Sequence, residues 1–163
     1  MLLPLMADRH RTTRKANGYI PAFLTTCSIL LSGCFLSPAV NSGDYRNKAG
    51  NSARAMVSVV QSATYAVTLD LEGKSTGALT NNLVSDAEMD AGSIITAFDS
   101  RQPPNRESIK LMQSLDDPLQ EASTELTALR IAVREGDRSG MSHAVRALQK
   151  PLRAFSRLED LSS

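Results

Sequence analysis

Apolar residues along the chain fall into four stripes with steps of mostly three and four. The first runs Ala49, Ala53, Met56, Val60, Ala63, Val67 and Leu71, and Gly73 follows where a helix C-terminus favours glycine. The second runs Leu79, Leu83, Ala87, Ala91, Ile94 and Phe98, with Ser75 or Thr76 as its cap and Pro103-Pro104 as its stop. The third starts after that proline pair and runs Ile109, Met112, Leu115, Leu119, Ala122, Leu126, Leu129 and Val133, stopped at Gly136. Pro118 lies inside it, so the helix either kinks there or breaks and restarts with Asp117 as N-cap and Pro118 at the first helical position. The fourth, with Asp137 as N-cap, runs Met141, Val145, Leu148, Leu152, Phe155 and Leu158, and Pro151 should bend it. Such spacing puts each stripe on one helix face, and no single helix can bury its own stripe. The expected fold is therefore all-α: a four-helix up-down-up-down bundle over residues 49–163.

Upstream of the bundle the pattern changes. Arg9, Arg11, Arg14 and Lys15 precede an apolar run of about 13 residues, "YIPAFLTTCSILL" from Tyr19 to Leu31. That run is well short of the ~20 residues a spanning helix needs, and Pro21 weakens a transmembrane reading further. It suits the hydrophobic region of a signal peptide. The apolar "MLLPL" precedes the charges, which is the wrong order, so a start at Met6 gives the more conventional leader.

Leu31-Ser32-Gly33-Cys34 closes the apolar run and resembles the lipobox of bacterial lipoproteins. Two small residues let an extended backbone enter a protease site, and the Cys34 thiol is the nucleophile that accepts a diacylglyceryl group. The resemblance implies cleavage between Gly33 and Cys34, a leader over residues 1–33, and a lipid on Cys34 that holds the chain on the extracytoplasmic face of the cell membrane. Cys27 competes poorly, because Thr25 and Thr26 precede it and the run would be cut in half. An ordinary secretory signal with a chance cysteine, or a buried helix with a core thiol, are the plainer explanations of the same run. The cysteine count favours the lipobox: cleavage removes Cys27, leaving one thiol, and acylation spares it from standing free in an oxidising compartment. The Pro-, Gly-, Ser- and Asn-bearing segment "FLSPAVNSGDYRNKAGN", Phe35 to Asn51, reads as a tether, with residues 34–48 as lipidated cysteine and flexible spacer.

Composition adjusts this picture in two ways. Aromatic residues are only 4% with no Trp, which suits closely packed aliphatic helices. The formal net charge of +1 misleads: without the leader's four bases and Asp8, the 18 basic and 17 acidic residues fall to 14 and 16, about −2. A mildly acidic body with no basic stripe argues against a nucleic-acid partner.

Candidate chemistry is sparse. His143 is the only histidine outside the leader, and no Glu-x-x-His pair for a bundle di-iron site is present. Asp86, Glu88 and Asp90 could form a weak cation site but read more simply as a solvated face. Met56, Met89, Met112 and Met141 put one methionine on each helix, which suits Cu(I) or, more plainly, gap-filling in an aliphatic core. "LEGKSTG" (Leu71 to Gly77) lacks the strand and first glycine of a phosphate loop and reads as a turn. No catalytic constellation and no cofactor motif emerge, so the chain is expected not to be an enzyme.

"AFDSRQPP" (Ala97 to Pro104) and "LRIAVREGD" (Leu129 to Asp137) look like the turn motifs of uncharacterised small helical lipoproteins of actinobacteria. The resemblance covers Tyr45 to Leu158 and implies a helical extracytoplasmic body without naming an activity. Arg101, Arg130 and Arg134 near these turns could bind acidic partners or pair with local carboxylates. The leading expectation is a lipid-anchored, non-catalytic module that binds an envelope protein. The alternative is a small-ligand or metal carrier using the bundle core.

Overall fold

The computed structural model describes residues 41–160, with side chains through Leu158. The chain divides into two units, Met1–Phe35 and Leu36–Ser163, and every helix below lies in the second. The leader, the lipobox and residues 34–40 of the expected tether lie outside the described residues.

The described residues are all-α: α1 (Ser42–Leu71), α2 (Gly77–Asp99), α3 (Arg106–Glu135), α4 (Arg138–Ala147) and α5 (Gln149–Asp160). Because α4 and α5 are two parts of one interrupted helix, the arrangement is a four-helix bundle. α1 packs on α2, α3, α4 and α5, α3 packs on every other helix too, and α2 does not touch α4 or α5. Tyr45 near the start of α1 packs against Phe98 at the end of α2 with the ring planes tilted by 50°, and Arg46 reaches Glu107 at the start of α3. At the other end, Arg138 of α4 donates to the carbonyl of Leu71.

Local chemistry sets the helix boundaries. Asn41, Thr76, Asn105 and Asp137 each cap a helix by accepting a backbone N–H two or three residues on. Both interhelical glycines have positive φ, 70° at Gly73 and 69° at Gly136. Each completes a Schellman turn: Lys74 N–H bonds to Leu69 O and Gly73 N–H to Asp70 O, with Asp137 to Ala132 and Gly136 to Val133 in the second. The "LEGKSTG" segment is accordingly a helix–helix turn.

Three expectations need correcting. α1 begins at Ser42, and Tyr45 is almost wholly buried against Phe98, so helix takes over residues 42–48 of the segment read as tether. The tyrosine ring supplies the burial that fixes this turn. On α2 the buried positions are Thr80, Val84, Ala87, Ala91 and Phe98, while Leu79 and Leu83 are 53% and 44% exposed. A buried threonine stands in the expected leucine's place because its hydroxyl is satisfied by Ser75 Oγ at 3.2 Å. Ile109 is likewise exposed, and buried Ser108 opens the inward face of α3.

The two internal prolines behave differently. α3 runs unbroken through Pro118, which is buried beside Leu119, so the reading with Asp117 as N-cap does not hold. The fourth helix is interrupted at Leu148, one turn before Pro151. Proline has no N–H for the carbonyl of Ala147 and its ring crowds that oxygen. Leu152 N–H still reaches Leu148 O at 3.2 Å, so the buried positions Met141, Ala144, Leu148, Pro151 and Phe155 stay in one register.

Leu126→Ala should therefore cost about 2–5 kcal/mol in urea unfolding, whereas Leu79→Ala should cost under about 0.5 kcal/mol. Equal losses would contradict the α2 register. Tyr45 Oη is buried without a hydrogen-bond partner. Burial raises the phenol pKa, with the Arg101 charge lowering it and Asp99 raising it. Tyr45→Phe should thus leave stability unchanged or raise it by about 1 kcal/mol, while Tyr45→Ala lowers it by about 3–5 kcal/mol. Thermal unfolding of both variants checks this.

Candidate functional site

Cys34 and Gly33, the expected lipidation and cleavage residues, lie outside the described residues; the helical body starts eight residues after Cys34. Three features of the body itself bear on function: a polar bridge between α2 and α3, a cleft at one end, and a charged face on α4 and α5.

The polar bridge takes apart the expected acid cluster. Glu88 leaves Asp86 and Asp90 on the surface and turns toward α3, where Thr127 Oγ1 donates to Glu88 Oε1 at 2.7 Å and Arg130 Nε donates to Oε2. Both partners of the ion pair are about three-quarters covered. Desolvation pushes the Glu88 carboxyl pKa up, but the hydrogen bonds from Thr127 and Arg130 and the Arg130 charge together bring it below the usual 4.5. Among the described residues no group of three or more His, Cys, Asp or Glu could hold a metal ion. Glu88 is a helix-to-helix tie rather than a cation ligand.

His143 is exposed on α4. Met56 and Met141 are core residues, Met112 is half-buried and Met89 is 65% exposed. Of the arginines near the turns, Arg130 is spent on Glu88, and Arg101 donates to Ser52 Oγ at 3.3 Å. Arg134 is exposed.

The cleft, about 240 Å³, opens where the starts of α1 and α3 meet the end of α5. Ala49, Leu111, Leu115 and Leu158 make its apolar wall, and Gly50 lines it too. Arg46 and Glu107 also line it and are joined by a 2.6 Å ion pair. Sequence reading missed this cleft, because Arg46 and Glu107 are 61 residues apart and neither stands in a motif.

The charged face corrects the statement that the body has no basic stripe. Arg146, Lys150, Arg153 and Arg157 are all exposed and follow one another by four, three and four residues. At about 100° per residue they fall within about 60° of one another, opposite the buried side of α4 and α5. Lys150 pairs with Glu121 of α3 at 2.7 Å. Among the described residues no carboxylate lies within ion-pair distance of the three arginines. The 4-3-4 spacing was readable in the sequence but hidden by the average charge. Among the described residues no helix is long and apolar enough to cross a membrane.

The depressed Glu88 pKa fixes a sign. The carboxylate's contribution to stability should be complete above about pH 4.5 and lost as pH falls through its folded-state value. Glu88→Gln should destabilise the protein by about 1–2 kcal/mol at pH 7 and by progressively less below that boundary. Chemical unfolding of both forms across that range reads the difference; a gap that widens in acid would refute the assignment.

The chain matches no known family model, no curated protein and no solved structure.

Proposed function

We propose that this protein is a lipid-anchored, extracytoplasmic helical module of the kind resembled by its lipobox and turn motifs, and that it acts by binding at the cell envelope rather than by catalysis. One observation carries the reading. An apolar run of signal-peptide length ends in Leu31-Ser32-Gly33-Cys34, and a closed helical body begins only eight residues after that cysteine. The lipid would hold the body beside the bilayer: two or three acyl chains at ~0.8 kcal/mol per buried CH₂ make release negligible. The partner in the envelope would be met by the outer surface of the bundle, whose interior is an aliphatic core.

A second reading, a small-ligand carrier, is favoured by the cleft. Its size falls below the usual range for drug-sized ligands, so a short aliphatic molecule with one polar end would fit best.

Intact-mass measurement of the membrane fraction should show a chain starting at Cys34 with a diacylglyceryl group on its sulfur. Cys34→Ala should yield an unacylated precursor that retains its leader. An unmodified Cys34 in an unprocessed wild-type chain would overturn the anchor. For the carrier reading, short-chain fatty acids should raise the melting temperature at millimolar concentration, and Leu111→Trp should abolish the rise by filling the cleft. No shift with the wild type removes that reading.

A further inference from the structure

We propose that the outward face of α4 and α5 docks on anionic phospholipid headgroups and lays the anchored body side-on against the bilayer. The inference rests on the lipid-anchored reading and adds an orientation to it.

Charge segregation is the first argument. Four of the 14 basic residues after Cys34 stand on this one strip, and a fifth, Arg138, also lies on α4. Of the 16 acidic residues in that part of the chain only Glu159 and Asp160 lie on α4 or α5, which leaves nine bases against 14 acids on the rest of it. An anionic surface therefore attracts one side of the bundle and repels much of the rest, which orients it. The neighbouring helices do little to neutralise the strip. From α3, Glu121 engages Lys150, while the guanidinium groups of Arg146, Arg153 and Arg157 have no carboxylate partner among the described residues. Three of the four cations are arginines, whose planar donor fork suits phosphate oxygens.

Reach is the second argument. Leu158 lines the same cleft as Ser42, so the strip's Arg157 end lies at the end of the bundle from which the chain leads back to Cys34. Seven residues, 35–41, separate the lipidated cysteine from α1, at most about 25 Å of chain. From Arg157 to Arg146 the strip extends about 16 Å along the helix axis. Its whole length can thus lie on the surface that holds the anchor. The strip is polar, so the contact is with headgroups and is screened by salt.

The test uses protein purified from membranes with its lipid and reconstituted in two kinds of vesicle. One is phosphatidylcholine alone, and the other contains about 30% phosphatidylglycerol to supply surface charge. A fluorophore is placed on Gln149→Cys, beside the strip, or on Met89→Cys, on α2, which does not touch α4 or α5. Quenching by headgroup nitroxides should be about threefold stronger at position 149 than at 89 on the anionic vesicles. The two should become equal on phosphatidylcholine, in about 0.5 M salt, and in the combined Arg146→Gln, Lys150→Gln, Arg153→Gln and Arg157→Gln variant. Equal quenching on anionic vesicles overturns the proposal, as does a bias that survives in the fourfold variant. Binding to soluble poly(glycerol phosphate) without any bias on vesicles would assign the strip to an anionic polymer instead and also overturns it. Intact mass on the same sample reads the acyl group, so failure of the anchor is seen separately. In that event the quenching ratio is read on protein added to the vesicles from solution, with the same outcomes.

Discussion

Burial of the apolar face of α1 is the constraint on which the other helices depend. α1 is 30 residues long and packs on every other helix, while α2 and the α4–α5 pair stay apart. The contact that closes the bundle is therefore the α1–α3 pairing, and the chemistry of the two faces suits it. α1 offers small side chains at Ala49, Ala53 and Ala63, and α3 offers Leu115, Leu119, Leu126 and Leu129, all essentially buried. Small residues let the helix axes approach, and leucines fill the space between them. With so few aromatic residues, large rings are used sparingly: Tyr45 and Phe98 pack together where α1 begins and α2 ends.

Once the aliphatic faces have met, the polar groups between helices must be satisfied in place. Thr80 and Ser75 share a hydrogen bond at the entry of α2, and Glu88 is held by Thr127 and Arg130. The cost of stranding any of these groups makes the pairing specific as well as stable. Tyr45 Oη is an exception, kept because its ring fills the junction.

Much of this was legible in the sequence, and the misses have definite causes. The stripe of α1 is unambiguous because Ala53, Met56 and Val60 leave no competing face, and so is that of α3 from Leu115 onward, where Leu119, Ala122 and Leu126 continue it. On α2 two registers one residue apart both look plausible, and hydropathy chose Leu79 and Leu83 over Thr80 and Val84. A threonine hydroxyl becomes buriable only with Ser75 beside it, which periodicity does not show. Pro118 and Pro151 look alike in sequence, yet one helix is continuous and the other is interrupted. Both are buried, but Pro118 stands thirteenth in the 30-residue α3, whereas Pro151 stands third in α5, just after the interruption. Tyr45 was assigned to the tether by its Gly- and Asn-rich neighbours, although its own ring belongs to the core. The charged strip vanished because net charge averages over faces that a helix separates.

That last point reaches function. A bundle whose interior is aliphatic has only its surface and its end cleft with which to meet a partner, and a lipid on Cys34 would confine that surface to a thin layer above the bilayer. Within such a layer, effective concentration replaces intrinsic affinity, so contacts too weak to hold a free protein can still set its orientation. Four cations in a row are of that strength. Orientation in turn decides which face remains open to a partner. With α4 and α5 toward the lipid, the outer face of α2 points away from it, since α2 touches neither. Leu79, Leu83 and Met89 are exposed on that helix. The strip would thus determine the availability of a surface it does not itself form.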